Sequence, residues 1–273
     1  MYLKAENNLI NKKEYLGRTD ITQIIVPSKV LNIENWAFAQ CTNLREIAIP
    51  ITLDIMGKDV FLDCNRLEYI FFYDAKLVDE EKFFHNVKEQ DRFLARMTSI
   101  AFLKFDEVEL RDIKSVGTRE WIGKWDKTCL EYINQPHGLK FSPFLAGGEE
   151  DYIDKENNYE YYCHMKRLEK VGIILTRLLS ADVFTLNKDI EDKYISFLKG
   201  LMPDGESVQA LVEAGDMANE FYRLYDRYEI INGDNIDIVL SATPEECVEL
   251  KALLLRKKSE CTKDDNVWDA FSL

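Results

Sequence analysis

The sequence predicts an α+β chain in which a short parallel-stranded solenoid of 23-residue coils precedes a larger all-helical array. Three observations carry that expectation. One segment recurs at a fixed spacing, Ile21–Cys41 and then Leu44–Cys64; apolar spacing turns helical beyond about residue 78; and the charge shifts at about the same place. Up to residue 72 there are 8 basic and 9 acidic side chains, against 27 and 40 beyond it. The expected domains are a solenoid with an N-terminal cap over 1–78 and a helical, repeat-like domain over 79–273, with an exposed loop near 142–154.

Apolar residues return at equivalent places in each copy: Ile21, Leu44 and Leu67; Ile24, Ile47 and Ile70; Val26, Ile49 and Phe72; Val30 and Leu53; Ile33 and Met56; Ala37 and Val60; Phe38 and Phe61. A period of this size is that of a stacked solenoid, because one coil cannot bury its apolar side alone. Within Leu44–Pro50 the alternation turns Leu44, Ile47 and Ile49 inward and Glu46 and Ala48 outward, and Pro27 and Pro50 stop the strands. Ile33 with Phe38, and Met56 with Phe61, close each coil from its opposite wall. Cys41 and Cys64 sit where a small buried side chain fits the turn into the next strand. The segment Leu9–Leu16 and the helices after Glu80 are expected to cap the stack.

The residues Ile47, Ile49 and Pro50, together with Ala37, Phe38, Cys41 and Leu44, resemble the BspA-like, or Treponema-type, leucine-rich repeat family. The second coil departs by placing Val60 where Ala is usual, then continues with Phe61, Cys64 and Leu67. The likeness covers roughly residues 19–84; Phe84 and Val87 are read as a worn third coil lacking both Pro and Cys. Family members are commonly bacterial surface or secreted adhesion proteins, so the resemblance implies binding of a protein or peptide. Met1–Asn11 contains Lys4 and Glu6 and lacks the apolar run of an export signal, so the expected location is cytoplasmic.

The outward strand positions form two columns and supply the candidate interaction face. Gln23, Glu46 and Tyr69 make the first; Ile25, Ala48 and Phe71 make the second. A column holding Ile, Phe and Tyr needs a cover, supplied either by the rest of this chain or by a partner. An exposed strand face or an open coil end would also allow weak homo-oligomers.

Beyond the solenoid, Glu80–Phe105 reads as one interrupted helix or two short ones, and Trp121–Ile133 as another, ended by Gln135-Pro136. Further helices are expected over Tyr159–Leu179, Lys188–Lys199, Gly205–Glu213, Ala218–Glu229, Asn235–Ala242 and Pro244–Lys257, with Thr243-Pro244-Glu245-Glu246 as a helix start. The run from Gln209 to Gly215 resembles the second helix and turn of an ankyrin-like pair. The tail reads as a frayed end with one aromatic anchor around Trp268.

Composition and motifs restrict the chemistry. The formal net charge is −14, which disfavours nucleic acid as a partner. No stretch is long and apolar enough for a membrane span; Val171–Phe184 is interrupted by Arg177 and Asp182. The six cysteines are scattered and read as reduced, small hydrophobes. His85, His137 and His164 form no zinc motif, and Cys129 with His137, or Cys163 beside His164, forms no recognisable nucleophile pair. The acids at Glu149–Asp154 and at Asp189, Glu191 and Asp192 lack calcium-loop spacing. No catalytic, cofactor-binding or metal residue is assigned and no cofactor is expected. The expected function is therefore noncatalytic protein or peptide interaction. The alternatives are an enzyme of unrecognised class with its site in the helical part, or a structural, self-assembling protein.

Overall fold

The computed structural model describes residues 3, 8–139, 141, 158–201, 206–213 and 218–269. The chain forms two compact units, residues 1–129 and 130–273.

The first unit is built on two three-stranded parallel sheets. One holds β1 (Leu9–Ile10), β3 (Asn32–Ile33) and β5 (Ile55–Met56); the other holds β2 (Gln23–Ile25), β4 (Glu46–Pro50) and β6 (Tyr69–Tyr73). Every pairing is offset by 23 residues: Gln23 lies beside Glu46 and Glu46 beside Tyr69, while Asn32 lies between Leu9 and Ile55. Ile24, Ile47 and Ile70 are completely buried in the stack, as are Ile33 and Phe38. Rings continue the column on the far wall, with Tyr15 stacked on Phe38 at 5.3 Å and Phe38 on Phe61 at 6.1 Å. Such offset pairs add about 0.5–1.5 kcal/mol beyond their buried area.

Two expectations about the ends of the stack are corrected. Leu9–Leu16 is part of a coil in its own right: β1 pairs with β3, Leu3 donates its N–H to the Ile25 carbonyl at 3.0 Å, and Leu3 and Ile10 are buried. The third coil stops after β6. Phe84 and Val87 do not enter the interior positions; they pack against the outer face of the sheet with Ile25, Ala48 and Phe71. The aromatic outer face of β6 draws the chain back across itself, because burying those rings outweighs completing one more coil.

Turn geometry repeats with the coil. Trp36 and Gln40 have φ of 58° and 59°, and their equivalents Asp59 and Asp63 have 53° and 58°. Gly57 is required by close approach, since a Cβ there would meet the Asn35 backbone nitrogen at 2.5 Å. The thiols of Cys41 and Cys64 donate to the Tyr15 and Phe38 carbonyls, each at 3.1 Å, so each ties its coil to the one before. The neighbouring Cys41 thiol, together with burial, pushes the Cys64 pKa up.

After β6 come a 3-10 turn at Glu80–His85 and α1 (Glu89–Leu103), two short elements in place of one long helix. A second 3-10 turn, Val108–Arg111, leads to α2 (Arg119–Asn134), capped by the Thr118 hydroxyl accepting from the Trp121 N–H. Buried Trp121 and Trp125 donate their indole N–H groups to the Leu110 and Met97 carbonyls, each at 3.0 Å.

In the second unit α3 (Tyr159–Leu179) is the centre, started by the Asn158 side chain accepting from two backbone N–H groups. It packs against α4 (Lys188–Gly200), α5 (Glu206–Glu213) and α6 (Ala218–Arg227). Its face of Val171, Ile174, Leu175 and Leu178 is wholly buried. Arg177, also buried, spends its guanidinium on Ser180 Oγ and the Phe184 and Thr185 carbonyls, which explains a charge inside an apolar run. Next, α5 contacts α7 (Ile236–Ala242), and α7 contacts α8 (Val248–Asp269). The helix expected from Pro244 begins instead at Val248. The Thr243 hydroxyl closes α7 by donating to the Val239 carbonyl, and Pro244 accepts from Cys247 in a turn. The loop near 142–154 and the side chain of Trp268 lie outside the described residues.

Candidate functional site

The two outward columns of the β2–β4–β6 sheet have different fates. In the second, Ile25, Ala48 and Phe71 are 5%, 0% and 3% exposed. They form a second core with Tyr73, Phe83 and Ala95, and Phe71 meets the edges of Phe83 and Phe84 at 5.5 and 5.8 Å. The cover comes from the chain's own 3-10 turn and α1, so this column is not open to a partner in the structure.

The first column is polar and reaches solvent. Gln23 is exposed, and its side-chain amide donates to Glu46 Oε2 at 2.6 Å; Arg92 of α1 donates to Glu46 Oε1 at 2.7 Å. Glu46 is buried, so these two donors, one of them cationic, offset the desolvation of its carboxylate. Arg92 and Arg96 both lie over the half-buried Tyr69 ring, at 5.3 and 5.9 Å. Arg96 Nη1 is buried with no hydrogen-bond partner. Neither arginine was singled out from the sequence; the signal available was Glu46, an acid on an otherwise apolar sheet that needs a cation beside it.

Residues 8–125 match the family model described as a BspA type Leucine rich repeat region (6 copies). That stretch includes both sheets of the first unit, α1 and the first turns of α2. No curated protein and no solved structure matches the chain.

The residues weighed for chemistry are dispersed or structurally engaged. His137 Nδ1 lies 3.2 Å from Lys170 Nζ, which also donates to the Ile133 and Gln135 carbonyls at the end of α2. Burial lowers the pKa of Lys170. Lys188 bridges Glu191 and Asp192, and Glu191 also accepts from the Tyr228 hydroxyl at 2.6 Å. Among the described residues no group of three His, Cys, Asp or Glu side chains is placed to hold a metal, and no helix is long and apolar enough to cross a membrane.

The far end of the stack is the other unusual feature: Phe102, Leu103 and Ile113 pack against its core, and the Ser99 hydroxyl donates to the Leu67 carbonyl. A cleft of about 810 Å³ separates the last coil, with Met56, Asp59, Phe61 and Asp63, from a wall formed by Leu103, Ile113 and neighbouring residues.

Proposed function

We propose that this chain is a noncatalytic protein-interaction protein that recognises a polar or acidic peptide segment along the column Gln23, Glu46 and Tyr69, with Arg92 and Arg96 beside it. The observation that carries this reading is the polar column left reachable beside a fully covered apolar one. The match of residues 8–125 to a repeat family favours interaction over catalysis. Arg96 Nη1 supports an acidic feature in the partner, since a buried cationic donor gains most from a carboxylate. The finer part of the reading, that the second unit is an ankyrin-like array, rests on the run from Gln209 to Gly215.

The test uses the full-length purified chain as bait and compares it with a Tyr69→Ala, Arg96→Ala double variant whose circular dichroism and melting are checked. A partner held by the native chain and lost by the still-folded variant places recognition on this column. Equal retention by both assigns it elsewhere.

A further inference from the structure

The coils of the first unit are joined by two rows of backbone hydrogen bonds, one along each strand sheet's neighbourhood and one along the outer turns. In the turns, the N–H groups of Trp36, Phe38 and Gln40 donate to the carbonyls of Lys58, Val60 and Leu62, at 3.1, 3.0 and 2.7 Å. One coil earlier, Tyr15 and Gly17 donate likewise to Ala37 and Ala39. Moving one period on, the equivalent donors are Asp59, Phe61 and Asp63, and the acceptors they would meet are Glu81, Phe83 and His85. Those acceptors have been carried away into the 3-10 turn over the outer sheet face. The three N–H groups therefore meet no acceptor among the described residues.

The opposite end of the same stack carries the matching row. Moving one period back from Asn35, Ala37 and Ala39 gives Lys12, Glu14 and Leu16, whose carbonyls receive no donor among the described residues. The strand row behaves the same way. The Leu31 carbonyl accepts from Asp54 and Ile55, and that of Ile33 from Gly57. Asp54 and Met56, one coil later, have no such donors, because Leu77 turns back to Asp74. Buried β-type edges are usually blunted or covered, and exposed ones pair with whatever supplies the complementary row.

Side chains at the two ends are complementary too. The last coil exposes Asp54, Asp59 and Asp63 with Lys58, whereas the first exposes Lys12 and Lys13 with Glu14. Stacked at the coil period, Lys13 of an added coil would follow Trp36 and Asp59 in one column, placing an ammonium next to a carboxylate. The neighbouring column would continue Leu16, Ala39, Leu62 with another Leu16. Leu16 and Leu62 are 40% and 48% exposed in the single chain. The cleft beside Met56 and Phe61 is the space that the arriving edge would enter.

We propose that this chain associates head to tail with a second copy of itself, the Asn11–Gly17 edge of one molecule docking on the Asp59–Asp63 edge of the next. This inference rests on the ends of the stack and is independent of the peptide-binding column. The contact is heterologous, so each bound molecule leaves one head and one tail free, and association continues to longer chains unless an end is blocked.

The experiment is sedimentation velocity of the full chain over a hundredfold concentration range at low salt, with two charge-reversal variants. Asp59→Lys with Asp63→Lys removes the tail, and Lys12→Glu with Lys13→Glu removes the head. The native chain should show mass rising with concentration beyond a dimer. Each variant alone should stay monomeric with an unchanged melting curve. An equimolar mixture should regain association beyond a dimer, because the native head and tail pair and the two reversed edges are again opposite in charge. A native chain that stays monomeric at every concentration overturns the proposal, as does a closed dimer that neither variant disturbs. A monomer whose tail instead binds a short basic peptide overturns it in favour of a foreign strand.

Discussion

Replacing Phe71 by Ala probes whether the outer sheet face is a second core or a surface. The ring is 3% exposed and touches Phe83, Phe84 and Tyr69. Removing a buried Phe ring costs about 3–5 kcal/mol, the higher figure applying where neighbours cannot collapse into the space. Two of those neighbours belong to the 3-10 turn, and Ala95 of α1 joins the same cluster. The loss should therefore fall first on the cover, with α1 opening more readily than the coils beneath it. At about 1.4 kcal/mol per tenfold, the opening constant of α1 should rise by roughly two to four orders of magnitude. Amide hydrogen exchange resolved to α1 and to β4 reads this directly. Exchange in Met97–Ala101 should accelerate by that factor while Ile47 and Ile49 change less. A cost below about 1 kcal/mol, as for an ordinary surface substitution, would refute the covered face.

Other outcomes follow from the same geometry. Gly57→Ala forces a methyl against the Asn35 and Glu34 backbone and should lower stability by about 1–3 kcal/mol, read as a reduced urea midpoint. Lys170→Met leaves the Ile133 and Gln135 carbonyls without their donor and should cost about 1–3 kcal/mol in the melting of the second unit. Tyr228 is pushed up to about 12 by burial and by its hydrogen bond to Glu191. Because the folded chain holds this proton more tightly, the stabilisation is complete below pH 10 and disappears as pH rises towards 12, and Tyr228→Phe should flatten that part of a stability-against-pH curve. Under native conditions a thiol reagent should modify Cys247 and Cys261 well before buried Cys41, Cys64, Cys129 and Cys163, as peptide mapping would show.

The coil period was legible because seven positions repeat with it, and the register found between β2, β4 and β6 has that spacing. The first coil was harder to read. Leu3, Ile10 and Tyr15 obey the period, but Lys12, Lys13 and Glu14 between them dilute the apolar pattern. The need for a cover over Ile25, Ala48 and Phe71 was also visible, whereas its source depended on contacts far apart in sequence. Phe84 illustrates the difficulty: its spacing suits an interior place in a third coil, yet it packs outside against two other rings, Phe71 and Phe83. Arg92 pairing with Glu46 across 46 residues has no local signature at all. At Thr243, a favourable helix-start sequence lost to the hydroxyl's bond with the preceding helix.

The constant offset of 23 between neighbouring strands makes this protein's length quantised. Duplicating or deleting one whole coil, for example residues 31–53, keeps every apolar column, thiol tie and turn donor in line, while the cover stays attached to the final coil. An odd-numbered insertion within a strand would turn the residues after it to the opposite face and empty a column. Growth by whole coils would move the two ends apart without altering either, so a longer relative could keep both docking edges and change only their separation.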